Sequence, residues 1–248
     1  MIGHSPSSKK SDFQRSGLYV TLMKNLKLSG CPVCRVGHEQ EHTFIDSMFY
    51  EQVNEPELRQ NLKKSMGFCY THALQVISFG DPLGNAIIYE NLLLDVKERM
   101  KQAIAKTVNT SSTAKRFFHR SHEPDIRYPL YANEKCPICV AKRQLDQDYL
   151  DFLVSHIDDD ALAAAYRQSF GLCTPHLAEA VRIAQRRSFH QQLVQLEQLE
   201  SAIMDHLIAE LKEIMRKSDY RFADDPPGAE KDAWIRAIHK ISGSPKLY

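Results

Sequence analysis

No stretch of this sequence approaches the roughly 18 consecutive apolar residues that a membrane-spanning helix requires, which predicts a protein without a membrane span. The opening Met1-Ile-Gly-His-Ser-Pro-Ser-Ser-Lys-Lys lacks the apolar core of a signal peptide, so the expected compartment is cytoplasmic. Charge of one sign is also missing. Lys and Arg number 32 against 31 Asp and Glu, a formal net charge of +1, which leaves no global field to draw the chain onto nucleic acid or an anionic membrane. No glycine-rich phosphate loop appears, and no nucleophile sits in a recognisable catalytic setting. What remains is ordinary for a globular protein: 248 residues, 43% hydrophobic and 25% charged, enough for one large domain or two small ones.

Cysteine is scarce, and its placement is informative. In a cytoplasmic setting the thiol buffers oppose structural disulfides, so metal or redox chemistry is the expected use. All six cysteines, Cys31, Cys34, Cys69, Cys136, Cys139 and Cys173, fall inside two copies of one pattern. The pattern is Cys-Pro-x-Cys followed by Gly-x-Cys-x-x-His. Cys31-Pro32-Val33-Cys34 aligns with Cys136-Pro137-Ile138-Cys139 at an offset of 105, and Gly67-Phe68-Cys69-Tyr70-Thr71-His72 with Gly171-Leu172-Cys173-Thr174-Pro175-His176 at 104. Between these anchors Phe44, Ile45 and Met48 match Tyr149, Leu150 and Leu153, so the apolar pattern repeats with the ligands.

The periodicity is helical. Phe44, Ile45, Met48, Phe49 and Val53 recur at three- and four-residue steps, as do Leu145, Tyr149, Phe152, Leu153 and His156. Shorter helices are expected at Pro56 to Met66 and Asp159 to Phe170, and long ones at Asn85 to about Val108 and Phe189 to about Lys217. Pro124 and Pro129 interrupt a polar stretch and mark a linker. The predicted fold is all-α: two helical pseudo-repeats, each stapled by a Cys3His metal site, with a short helical tail. The expected divisions are a first repeat over 1–108, a linker over 109–135, a second repeat over 136–217 and a tail over 218–248, with a last helix from Ala229 to Ile241 carrying Trp234.

These motifs, together with Tyr220-Arg-Phe and Glu230-Lys-Asp-Ala-Trp234 in the tail, resemble an uncharacterised bacterial family of unknown function. The resemblance spans most of the chain. It implies a helical protein with paired metal-ligand motifs, and no activity.

A Cys-x-x-Cys pair lets two thiolates converge on one cation, and Cys-x-x-His places a sulfur and an imidazole one helical turn apart. The predicted metal ligands are Cys31, Cys34, Cys69, His72, Cys136, Cys139, Cys173 and His176. Three thiolates and an imidazole form a common closed zinc set, so two zinc ions per chain are expected, with an iron–sulfur cluster as the alternative. Thiol redox alone fits less well, because a thioredoxin-like motif wants a βαβ setting. The simple pairing joins Cys31 and Cys34 to Cys69 and His72, and Cys136 and Cys139 to Cys173 and His176. A crossed pairing between the repeats remains possible from spacing alone, and would need the linker to bring the units face to face. Pro32, Pro137 and Pro175 suit first-turn positions if the ligand pairs open helices, where the helix dipole favours thiolates.

Other candidates read as structural. His38 and His42 lie four apart on one helical face, but the second copy has Arg143 and Gln147 at the matching places. Lys115-Arg-Phe-Phe-His-Arg120 mixes cations with aromatics, yet within a linker it reads as a solvated segment. The charge-dense tail, with Asp219, Arg221, Asp224, Asp225, Glu230, Asp232 and Arg236, reads as caps and packing staples. Sites with four protein ligands are full, which weighs against an enzyme. The expectation is a zinc-binding helical scaffold for a protein partner, the rival being a redox protein or sensor using iron–sulfur clusters or metal-released thiols.

Overall fold

The computed structural model describes residues 14–113, 132, 134–222 and 224–244, and every regular element among them is helical, with no strand. The central part of the expected linker, 114–131, with its basic and aromatic segment, lies outside the described residues. Ten α-helices follow one another among the described residues: α1 (Gly17–Asn25), α2 (Pro32–Ser47), α3 (Pro56–Lys64), α4 (Tyr70–Phe79), α5 (Pro82–Thr113), α6 (Pro137–His156), α7 (Asp160–Arg167), α8 (Thr174–Arg187), α9 (His190–Lys217) and α10 (Ala233–Ser242). A π-helical segment, Met48–Gln52, continues α2, and 3₁₀ turns at Tyr220–Phe222 and Ala229–Asp232 lead into α10.

Local chemistry explains the boundaries. Ser16 caps α1 by accepting the Tyr19 N–H at 3.2 Å, and Asp159 caps α7 by accepting that of Leu162 at 3.0 Å. Asp81 receives the Gly84 N–H at 2.9 Å, which starts α5 earlier than the expected Asn85. The same helix passes Val108 and reaches Thr113, since the weak helix propensity of a few Ser, Thr and Asn residues does not terminate an established helix.

The chain divides into two compact units, with breaks after Gln40 and after Lys142 that fall inside α2 and α6. Among the described residues, one unit joins those up to Gln40 to those from Arg143 onward, and the other runs from Glu41 to Lys142. In the first, Leu22, Val36, Leu150, Leu153, Ile157, Leu162, Tyr166 and Leu196 belong to one buried core. In the second the core is Ile45, Met48, Leu62, Val76, Ile88 and Ile138. Each such aliphatic side chain contributes about 1.5–3 kcal/mol on burial, so each unit has an apolar core of its own on which to carry a polar site.

The first unit also buries a charged pair. Glu200 on α9 and Lys240 on α10 meet at 2.6 Å with almost no exposure. The carboxylate accepts the Tyr166 hydroxyl and, at 2.6 Å, the Leu172 N–H, while Lys240 donates to the Phe170 carbonyl at 3.0 Å. Burial, then the Glu200 carboxylate, drives the Tyr166 phenol well above its usual range. The pair is satisfied on all sides, and what it satisfies is the backbone of the turn leading to Cys173.

Candidate metal centre

Each of the four candidate ligand pairs sits on a helix N-terminus. The Arg35, Ala73, Val140 and Leu177 amides donate to the carbonyls of Cys31, Cys69, Cys136 and Cys173 at 2.8–3.1 Å, which makes each of these cysteines the residue before the first turn. The second ligand of each pair, Cys34, His72, Cys139 or His176, lies three residues on and points back over the same turn. Positive φ values of 87° at Gly67 and 71° at Gly171 turn the chain two residues before Cys69 and Cys173. At Gly171 a Cβ would lie 2.6 Å from Glu200 Oε1 and 2.9 Å from Lys240 Nζ, so only glycine fits there.

The ligand pairs assemble crosswise. Cys31 and Cys34 at the start of α2 meet Cys173 and His176 at the start of α8, and Cys136 and Cys139 at the start of α6 meet Cys69 and His72 at the start of α4. The simple pairing within each motif copy is therefore not the one formed. Sequence distance misleads here because, among the described residues, those up to Gln40 belong to one unit with those from Arg143 onward, which brings the first Cys-x-x-Cys to the second Cys-x-x-His. Each quartet lies wholly within one of the two units.

Within each quartet the ligand atoms all lie within 4.8 Å of one another. In the α2–α8 quartet, His176 Nδ1 is 3.4, 3.5 and 3.2 Å from the sulfurs of Cys31, Cys34 and Cys173, and Cys34 Sγ is 3.7 Å from Cys173 Sγ. In the α4–α6 quartet, His72 Nδ1 is 3.1, 3.5 and 3.3 Å from those of Cys69, Cys136 and Cys139, with Cys69 and Cys139 3.6 Å apart. A tetrahedron with zinc–sulfur bonds of about 2.3 Å and zinc–nitrogen bonds of about 2.05 Å has edges of about 3.8 Å between sulfurs and about 3.6 Å from sulfur to nitrogen. The sulfur separations match, and the sulfur–nitrogen distances fall short by at most about 0.5 Å of that figure. All six cysteines are free thiols.

Both imidazoles present Nδ1 to the sulfurs and turn Nε2 toward a carboxylate. Glu41 Oε1 lies 3.3 Å from His72 Nε2, and its other oxygen accepts from Gln75 at 3.0 Å. Asp146 Oδ2 lies 3.4 Å from His176 Nε2. A carboxylate on the far nitrogen fixes the tautomer that leaves Nδ1 free to ligate, the usual second contact of a metal-bound histidine. Sequence reasoning missed both acids, although 41 plus 105 is 146, so the offset that pairs the cysteines also pairs Glu41 with Asp146, each seven residues after a ligand cysteine. An acid two turns along the helix in both copies was the available signal.

Taken alone, the side chains are electrostatically mismatched. Burial would lower the His72 imidazole, but contacts with Cys136 and Glu41 prevail and hold it at about 10. Burial would raise Cys136, yet His72 and the backbone of Cys139 and Cys69 draw it down to about 7. Burial pushes Cys139 up to about 12, with Cys69 and Cys136 adding to the effect. His176 is likewise raised, its burial outweighed by Asp146 and the three neighbouring cysteines. One thiolate beside one imidazolium is tolerable, whereas three thiolates this close are not. A divalent cation would let all three ionise and leave the imidazole neutral. The residues thus fit a metal ion by geometry, by donor set and by charge.

Architecture and site together define a class: an all-α protein with two Cys3His clusters able to hold metal ions, each built from two helix starts. The chain belongs to a family of unknown function, DUF6062, whose model matches residues 24–246. It is similar to an "Uncharacterized 23.9 kDa protein in xynA 3'region" of Caldicellulosiruptor sp. (strain Rt8B.4), 26% identical over 228 residues that cover 90% of this chain and 100% of that protein. No solved structure matches the chain.

Proposed function

We propose that this chain is a zinc-binding helical scaffold, with Cys31, Cys34, Cys173 and His176 holding one ion and Cys69, His72, Cys136 and Cys139 a second, and that it serves a protein partner. The observation that carries the metal reading is the pair of near-tetrahedral quartets, each with its histidine oriented by a carboxylate. Four protein ligands complete the coordination of zinc, so the ion would act structurally, by clamping two helix starts together. A cluster of several irons sets its cysteine sulfurs farther apart than a single ion does, and the 3.6 and 3.7 Å separations favour the single ion.

The partner half of the reading has its own support. Trp234, Ile238 and Ile241 are more than half exposed on α10 at spacings of four and three residues, an apolar stripe of the kind that partner surfaces use. Lys217 binds Glu230 at 2.8 Å and staples α9 to the turn before α10, while Arg236 on α10 binds Glu210 of α9 at 2.7 Å and Asp232 of that turn at 2.9 Å.

Elemental analysis of protein purified without chelators tests the metal reading. Two zinc ions per chain and a colourless solution are expected. Iron with acid-labile sulfide, or no metal at all, would reject it.

A further inference from the structure

The two quartets share a ligand set but not an environment. In the α2–α8 quartet all three cysteines are buried, with Cys31 and Cys173 at 0% exposure, whereas in the α4–α6 quartet Cys69 and Cys139 keep part of their surface in solvent and only Cys136 is buried. The sealing of the first comes from the C-terminal end of the described chain. Gly243 lies so close that a Cβ there would be 3.8 Å from Cys34 Sγ and 4.0 Å from Cys173 Sγ. Ser244 Oγ accepts the Cys31 N–H at 2.8 Å, and the Ser244 carbonyl lies 3.0 Å from His38 Nε2. The Lys240 carbonyl accepts the Thr174 hydroxyl at 3.0 Å, while the Lys240 ammonium is locked on Glu200. The end of α10 and the two residues after it therefore form a cover over one quartet, and that cover is tied down at the residues next to its ligands.

Zinc leaves a thiolate site by stepwise replacement of its ligands, and the incoming group must reach the metal–sulfur bond. Solvent access to Cys69 and Cys139 supplies that route in one quartet. In the other, only His176 keeps part of its surface in solvent, and the three sulfurs stay covered until residues 240–244 lift away, which requires hydrogen bonds and a buried ion pair to open together. We propose that the α4–α6 quartet is an exchangeable metal site, able to give up and take zinc from thiol or aminocarboxylate ligands in solution, while the α2–α8 quartet is a locked structural one. This rests on the metal reading above and adds a division of labour between two sites that the repeated motif alone presents as equals.

The full-length, zinc-loaded chain is mixed with excess chromogenic chelator 4-(2-pyridylazo)resorcinol and an alkylating agent, and the labelled cysteines are mapped by mass spectrometry as zinc is released. The zinc content before mixing tests the metal reading separately: two per chain must be present for the release to be scored. The expected result is two phases of one zinc each, separated by at least about tenfold in rate, with Cys69, Cys136 and Cys139 labelled in the fast phase and Cys31, Cys34 and Cys173 in the slow one. Ser244→Ala should speed the slow phase severalfold and leave the fast phase unchanged. Release in a single phase, or early labelling of Cys31, Cys34 and Cys173, would overturn the division while leaving the zinc content as found.

Discussion

At the scale of single residues, two carboxylates that take no place in the quartets orient both histidines. Glu41 and Asp146 lie 3.3 and 3.4 Å from the far nitrogens of His72 and His176, which leaves Nδ1 as the nitrogen free for a metal ion. Replacing such a group leaves every ligand in place but lowers ligand basicity and orientation. Glu41→Gln should weaken zinc binding at the α4–α6 quartet by about 10- to 100-fold, and Asp146→Asn should do the same at the α2–α8 quartet. Competition titration against a chelator of known affinity measures both, and unchanged affinity in the two variants would remove the orienting role. The eight residues that gather into quartets were legible in the sequence because they repeat at fixed spacing. These acids were less so, since one carboxylate among 31 acidic residues carries no signal until the copies are aligned on the cysteines.

At the scale of elements, helix starts do most of the positioning. Eight ligands on four helix N-termini need only the right residue before the first turn and another three positions on, which is why Pro32, Pro137 and Pro175 could be read in advance as first-turn residues. The anchoring of the turn before Cys173 was not legible. It depends on Tyr166, Glu200 and Lys240, separated by 34 and 40 residues, and such contacts leave no local pattern. The tail reads in sequence as caps and packing staples, but that α10 docks on α8 and α9 and covers one quartet leaves no local pattern. Lys240→Met strands the Glu200 carboxylate in the core without a counter-charge. It should cost about 3–5 kcal/mol, and the double variant Lys240→Met, Glu200→Met should recover a large part of that loss. Denaturant unfolding of the zinc-loaded protein checks this: a single variant as stable as the parent would show that the pair does not hold the turn.

At the scale of the whole molecule, the arrangement is a crossed one. The fold class followed from periodicity, since nothing in the sequence competed with the three- and four-residue apolar steps. The pairing did not follow, because spacing along a chain fixes which residues belong to a motif and not which motif meets which in space. Cys31 reaches His176 across 145 residues, while His72, only 41 residues away, belongs to the other quartet. The central claim is thus that two metal ions are each held by a Cys-x-x-Cys from one motif copy and a Cys-x-x-His from the other. Counting zinc per chain in two double variants tests it most directly. Cys31→Ser, Cys173→Ser damages one quartet twice and should retain one zinc ion, whereas Cys31→Ser, Cys69→Ser damages both and should retain none. The reverse outcome, no zinc in the first variant and one in the second, would contradict the crossed assembly and restore the pairing within each copy.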